Sequence, residues 1–120
     1  MLREKSLDSV KIISIEYDLL INKLKEIAGN IKKNIPDVEK ILLFGSFAKG
    51  NYTPSSDLDI LIIVKDIDLS FLYRSEKFVE FFREIPLDVN ILVYTDEEIE
   101  RLSESNNMFI REVFSYAKEL

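Results

Sequence analysis

Asp57 and Asp59 stand two residues apart at the entrance to a strongly apolar run, LDILIIV, over 58–64. In an extended segment side chains alternate between faces, so the two carboxylates point the same way. Two such charges held close repel each other, and one tends to keep its proton. A divalent cation converts that repulsion into chelation. Asp88 opens a further apolar run, LDVNILVY, over 87–94. If the two runs are neighbouring strands, Asp88 completes a cluster of three carboxylates at one sheet edge. The chain has no cysteine and no histidine, so a metal here is a hard cation held by oxygen and retained waters, Mg²⁺ or Mn²⁺.

Gly45 and Ser46 supply the complementary half. KILLF (40–44) reads as a buried strand, and the residues after Gly45 read as a short helix over 46–49, closed by Gly50. A strand that ends in Gly-Ser and enters a helix presents free backbone N–H groups at a positive helix end, which suits an anion. Gly45 lets a phosphate approach the backbone closely, and the Ser46 hydroxyl adds a donor. A triphosphate held there would bring its α-phosphate near carboxylate-bound metals. Two metals stabilise the attacking and leaving oxygens of an in-line displacement. The chemistry implied is phosphoryl-group transfer by positioning and electrostatics. Taken singly, each feature has a plainer reading: a turn, a solvated acidic pair, a polar strand end. Their joint occurrence is what points to a site.

The elements that must position these groups are legible in outline. Tyr17, Leu20, Leu24, Ile27 and Ile31 recur at helical steps, and Pro36 ends that helix near Asn34. Upstream, VKIISIEY fits either a continuation of the helix or a short strand. LDILIIV is apolar on both faces and reads as a central strand. Asp68 or Ser70 is placed to cap a helix carrying Leu72, Phe78, Phe82 and Ile85, ended by Pro86. LDVNILVY is a third strand. Thr95 followed by Asp96, Glu97 and Glu98 is a helix start, and the tail NNMFIREVFSYAKEL reads as an amphipathic helix with Phe109, Val113, Tyr116 and Leu120 on one side. The order of elements predicts one small α/β (α+β) domain over 1–120, with 1–15 as a flexible or helical extension. The phenylalanines at 71, 78, 81 and 82 cannot all face inward from one helix, which leaves a partly exposed aromatic patch suited to a protein partner.

Composition narrows the function classes. With 120 residues, 47% hydrophobic and 32% charged, the chain is an ordinary globular domain with one core. A net charge of −6 argues against a broad nucleic-acid-binding face. Neither a signal peptide nor a bilayer-spanning segment is legible, so a cytoplasmic location is expected.

Gly45, Ser46, Ala48, Gly50, Ser56, Asp57 and Asp59 together resemble the nucleotidyltransferase signature of the DNA polymerase beta superfamily, Gly-Ser-x-Ala-x-Gly followed by Ser-Asp-x-Asp. Asp88 stands where that family places its third carboxylate. The chain is similar to the minimal nucleotidyltransferases over about 35–120. The resemblance implies a polymerase beta-like fold, a small mixed sheet with helices packed on it. It implies that Asp57, Asp59 and Asp88 bind two Mg²⁺ ions (Mn²⁺ as an alternative) and that Asp88 helps activate the acceptor hydroxyl. It implies that Gly45 and Ser46 hold the β- and γ-phosphates of ATP, with Lys49 and Ser56 as further nucleotide contacts. Many relatives carry arginine at the position of Lys49, and lysine keeps the charge but not the bidentate fork.

Small proteins of this kind resemble antitoxins paired with an all-helical HEPN protein, to a tyrosine of which they transfer AMP from ATP. A protein adenylyltransferase acting as antitoxin is therefore the expected function. Neutralisation of the partner by contact alone, and nucleotidyl transfer to a small molecule, are the competing expectations. No membrane partner is expected, and a homo-oligomer is left open.

Overall fold

The computed structural model describes residues 2–7, 10–15 and 17–120, with side chains from residue 17 onward. Of the segment expected as a flexible or helical extension, Leu2–Leu7 (β1) and Val10–Ile15 (β2) form an antiparallel strand pair in register Leu2↔Ile15 to Leu7↔Val10. The remaining residues of that stretch lie outside the described residues.

Tyr17–Asn34 forms the long helix α1, which buries Leu20, Leu24, Ile27, Ala28 and Ile31. Val38–Phe44 (β3), the four-residue helix α2 (Ser46–Lys49), Leu58–Val64 (β4), Val89–Thr95 (β5), Asp96–Glu104 (α3), Met108–Tyr116 (α4) and Lys118–Glu119 (β6) follow. The four-stranded sheet runs β5-β4-β3-β6. β4 is internal, as its two apolar faces require. It pairs antiparallel with β3 and parallel with β5. This is the mixed sheet with packed helices expected of a small α+β domain.

Strand alternation divides the core in two. Ile41 and Leu43 of β3 and Leu58, Ile60, Ile62 and Val64 of β4 face α1, together with Phe47, Phe78 and Phe82. Leu42 and Phe44 with Leu61 and Ile63 face the other way, under Val113 of α4 and beside Leu92, Tyr94 and Tyr116. Asp59 has the parity of Leu61 and Ile63, and Asn90 has that of Leu92 and Tyr94. Both therefore lie on the α4 face, at the end of the sheet where β4 and β5 begin and β3 finishes.

Two expectations are corrected. Residues 71–82 do not make one α-helix. They form two 3-10 segments, Phe71–Lys77 and Val79–Phe82. Tighter winding breaks the i, i+4 stripe, so Phe78 and Phe82 are buried while Leu72 is 81% exposed and Phe71 and Tyr73 are also exposed. The C-terminal helix stops at Tyr116. Beyond it, Lys118 and Glu119 pair with Leu43 and Leu42, and the Leu120 amide donates to the Ile41 carbonyl (2.9 Å). The edge of β3 offered unpaired backbone groups, and the tail fills it as a strand.

Arg74, the one buried charged residue among those described, ties the 3-10 region to the sheet. Its guanidinium donates to Glu98 at 2.6 and 3.1 Å, to the Val93 carbonyl at 3.2 Å and to the Leu69 carbonyl at 3.0 Å. Glu98 also completes the capping box of α3, accepting from the Thr95 amide while its own amide donates to the Thr95 hydroxyl. The Arg74 guanidinium beside Glu98 holds this carboxyl below its ordinary value of 4.5, and the Thr95 amide adds to the effect. A carboxyl with a lowered folded pKa stabilises the fold above its unfolded pKa and loses that contribution as the pH falls through the folded value. Glu98→Gln should therefore cost about 2 kcal/mol at neutral pH, because Arg74 stays buried without its counter-charge. The gap between variant and wild type, measured by urea unfolding, should close on acidification below pH 4.5.

Candidate active site

The β3–β4 register sets Phe44 opposite Asp59, so the residue after Phe44 lands on the Asp59 side chain. That residue is Gly45, with φ +71° and ψ −158°. A methyl group placed on it would stand 2.0 Å from Asp59 Oδ2 and 2.9 Å from Asp59 Cγ. Glycine is needed twice over: side chains avoid this backbone region, and the carboxylate fills the space that a Cβ would take. The glycine turn and the acidic pair are thus one structure.

α2 starts from this turn. The Ala48 and Lys49 amides donate back to the Gly45 carbonyl (3.1 and 3.0 Å), and Gly50, at φ +87°, closes the helix onto the Ser46 carbonyl. The Ser46 and Phe47 amides belong to the open first turn, where a helix lacks internal acceptors. Tyr52 stacks between Phe47 (4.8 Å) and Tyr17 (5.6 Å) and pins the following loop. Ser56 serves that loop: its hydroxyl accepts from the Thr53 amide at 2.8 Å, and its amide donates to the Thr53 carbonyl at 3.0 Å.

The acidic pair is brought together. β4 and β5 are parallel, in register Asp59↔Asn90, and the Asn90 side-chain amide donates to Asp57 Oδ2 (3.3 Å) and to Asp59 Oδ1 (3.1 Å). Burial pushes the Asp59 carboxyl above its ordinary value; the Asn90 hydrogen bond works against this and the Asp57 charge adds to it. Asp88 is exposed, and its carbonyl accepts from the Leu58 amide at 2.8 Å. It shares a cavity of about 370 Å³ with Asp57, between the loop at 54–57 and the segment 85–88. Among the described residues no three acidic side chains are gathered closely enough to hold a metal ion.

The nucleotidyltransferase domain family matches residues 21–119, which include the Gly45 turn, Ser56, Asp57, Asp59, Asp88 and Asn90. The chain belongs to that family. A protein of Methanocaldococcus jannaschii named a protein adenylyltransferase is 30% identical over 102 residues, covering 84% of this chain and 98% of its own. A structure from Sulfolobus solfataricus, described as a nucleotidyltransferase, superposes with a TM-score of 0.58 at 29% identity, covering 71% of this chain and 75% of that one. A chain of a mutant MntA-HepT toxin–antitoxin complex does so at 0.56 and 26%, covering 83% and 70%.

This nucleotidyltransferase carries three site neighbours that the motif does not contain. Asn90 is one. Tyr116, at the end of α4, accepts a hydrogen bond from the Gly45 amide at 3.0 Å. Glu112, one turn earlier, pairs with Lys49 at 3.0 Å, and the Lys49 ammonium lies 4.7 Å from the centre of the Tyr116 ring. The Gly45 amide and the Lys49 ammonium are therefore both engaged by α4. The asparagine had a legible signal, since it shares strand parity with Asp88; Glu112 and Tyr116 had none.

Nucleotidyltransferases use nucleoside triphosphates and divalent metals, and the acidic pair of this one fits a hard dication. Asn90 engages one oxygen of each carboxylate, while Asp59 Oδ2 is turned toward Gly45. An oxygen-only donor set beside a glycine turn would suit a hard dication such as Mg²⁺ or Mn²⁺. Among the described residues no helix is long and apolar enough to cross a membrane.

Proposed function

We propose that this nucleotidyltransferase is a protein adenylyltransferase: it transfers AMP from ATP to a tyrosine hydroxyl of a HEPN-family partner in the cytoplasm and thereby acts as its antitoxin. The observation that carries the reading is the placement of Asp59, its Oδ2 against Gly45 and its Oδ1 within reach of the same amide as Asp57. The acidic pair thus stands directly beside the Gly45 turn. The relatives named protein adenylyltransferase and the toxin–antitoxin neighbours support the acceptor class.

Asp57 and Asp59 would hold the divalent ions, and Asp88, which stands across the shared cavity and outside that hydrogen-bonded pair, would have to turn inward to join them and help draw the proton from the acceptor hydroxyl. When bound, the ions supply charge neutralisation at the attacking and leaving oxygens. Gly45 and Ser46 take the β- and γ-phosphates. For that, the Gly45 amide must exchange the Tyr116 hydroxyl for a phosphate oxygen, and Lys49 must leave Glu112 to add its charge. Ser56 supports the nucleotide by holding the loop that carries Asp57. The acceptor oxygen then forms a bond to the α-phosphorus, the bond to the bridging oxygen breaks, and pyrophosphate departs.

The test is incubation with α-labelled ATP, Mg²⁺ and the product of the neighbouring gene. Label should appear on the partner's tyrosine and the partner's toxicity should fall. Full neutralisation by an Asp57→Asn/Asp59→Asn double variant would instead show an antitoxin acting by contact, a reading favoured by the separation of Asp88 from the acidic pair. Label on a small hydroxyl compound in place of the partner would move the chain to small-molecule transfer.

A further inference from the structure

We propose that Asn90 is a positioning residue of the metal site, holding Asp57 and Asp59 so that the free oxygen of Asp59 faces the phosphate turn. The inference rests on the reading that these two aspartates bind the divalent ion.

An asparagine amide has two N–H donors. Here one side chain reaches a carboxylate oxygen on each aspartate, at 3.3 and 3.1 Å. With the carbonyl of the amide reversed into this position, oxygen would face carboxylate oxygen, so the amide orientation follows from its neighbours. The position is set by the fold: parallel register places residue 90 beside residue 59 on the α4 face. Among the described residues no lysine or arginine pairs with either carboxylate. The neutral amide is thus the group that holds like charges together before a cation arrives.

Its choice of oxygens matters as much as its presence. Asn90 engages Oδ1 of Asp59, while Oδ2 of the same carboxylate lies against Gly45. The first bond fixes the rotation of the carboxylate and thereby aims the second oxygen at the phosphate side. A hydrogen bond to the far oxygen of a ligating carboxylate persists when the near oxygen takes a metal, so the carboxylate is already oriented before the ion arrives. Groups in this relation to a ligand typically change metal affinity 10- to 100-fold when removed.

The experiment is a Mn²⁺ titration followed by electron paramagnetic resonance, without nucleotide or partner protein. Asn90→Ala and Asn90→Leu, the second keeping the side-chain size, should raise the Mn²⁺ Kd about tenfold. Because Asn90 is exposed, both should melt at the wild-type temperature. Asn90→Gln retains the two donors on a longer arm and should fall between these variants and wild type. Binding by the Ala and Leu variants as tight as wild type, or tighter, would overturn the proposal, since it would make Asn90 a competitor of the metal. Asp59→Asn separates the two levels. If it abolishes Mn²⁺ binding while the Asn90 variants bind normally, only the role of Asn90 fails. If it leaves Mn²⁺ binding unchanged, or if wild type binds none, the metal reading fails with it.

Discussion

Asp59→Asn should lower nucleotidyl transfer about a thousandfold or more, because on the proposed reading it removes a ligand from a reaction driven by metal-stabilised charge, and it should not destabilise the fold. The second half of this result is the more diagnostic. Burial holds the Asp59 carboxyl above its ordinary pKa, and the Asp57 charge adds to the shift against the Asn90 hydrogen bond. An acid whose folded pKa is raised is destabilising in its ionised form, and that cost is present at neutral pH. A neutral amide of the same shape removes it. The melting temperature of Asp59→Asn should therefore equal or exceed that of wild type. Residues kept for stability behave the other way, losing both properties together. Transfer within tenfold of wild type would remove Asp59 from the chemistry.

The second large effect is expected at Gly45. Gly45→Ala places a methyl group 2.0 Å from Asp59 Oδ2 at a backbone φ of +71°. The left-handed backbone costs on the order of 1–3 kcal/mol for a residue with a side chain, and the clash adds displacement of the carboxylate itself. Stability should fall by about 2–3 kcal/mol, and transfer should drop to background. Gly50→Ala is the matched control. Gly50 also has positive φ, +87°, but a Cβ there meets nothing within 4 Å. It should cost about 1 kcal/mol and leave most of the transfer activity in place. Equal loss of activity in both variants would mean that the glycine turn acts through backbone shape alone and not through its contact with Asp59.

The two variants address the same few ångströms from opposite strands, and they explain why the motif is spaced as it is. Phe44↔Asp59 is one rung of an antiparallel pair. A turn that follows β3 directly must fall on a side chain that enters β4. The loop between them has to be long enough to carry the chain across and stiff enough to deliver Asp57 in register. Tyr52, stacked on both faces, and the Thr53–Ser56 turn provide that stiffness.

Much of this molecule follows from local pattern. The apolar run at 58–64 is a central strand because no face of it tolerates water, and the period of 61, 63 and 59 puts Asp59 on a defined side. The helix at 17–34 follows from spacing and from Pro36. Thr95 followed by three acidic residues announces a helix start, and α3 begins there, with a capping box between Thr95 and Glu98 that the structure adds. Each of these depends on residues a few positions apart, whose relation is set by backbone geometry alone. The 3-10 winding at 71–82 was not legible, since its hydrophobic spacing suits an α-helix and only packing against β5, with Arg74 reaching Glu98 and Val93, selects the tighter form.

The family was therefore legible in the sequence, in the motif of Gly45, Ser46, Asp57 and Asp59, because a glycine turn and an alternating acidic pair specify their own local geometry. What tertiary structure decided is who stands next to them. Asn90 meets Asp59 across 31 residues and Tyr116 meets Gly45 across 71. Such partners are chosen by strand register and by where the last helix comes to rest, and neither is written in the spacing of any single segment.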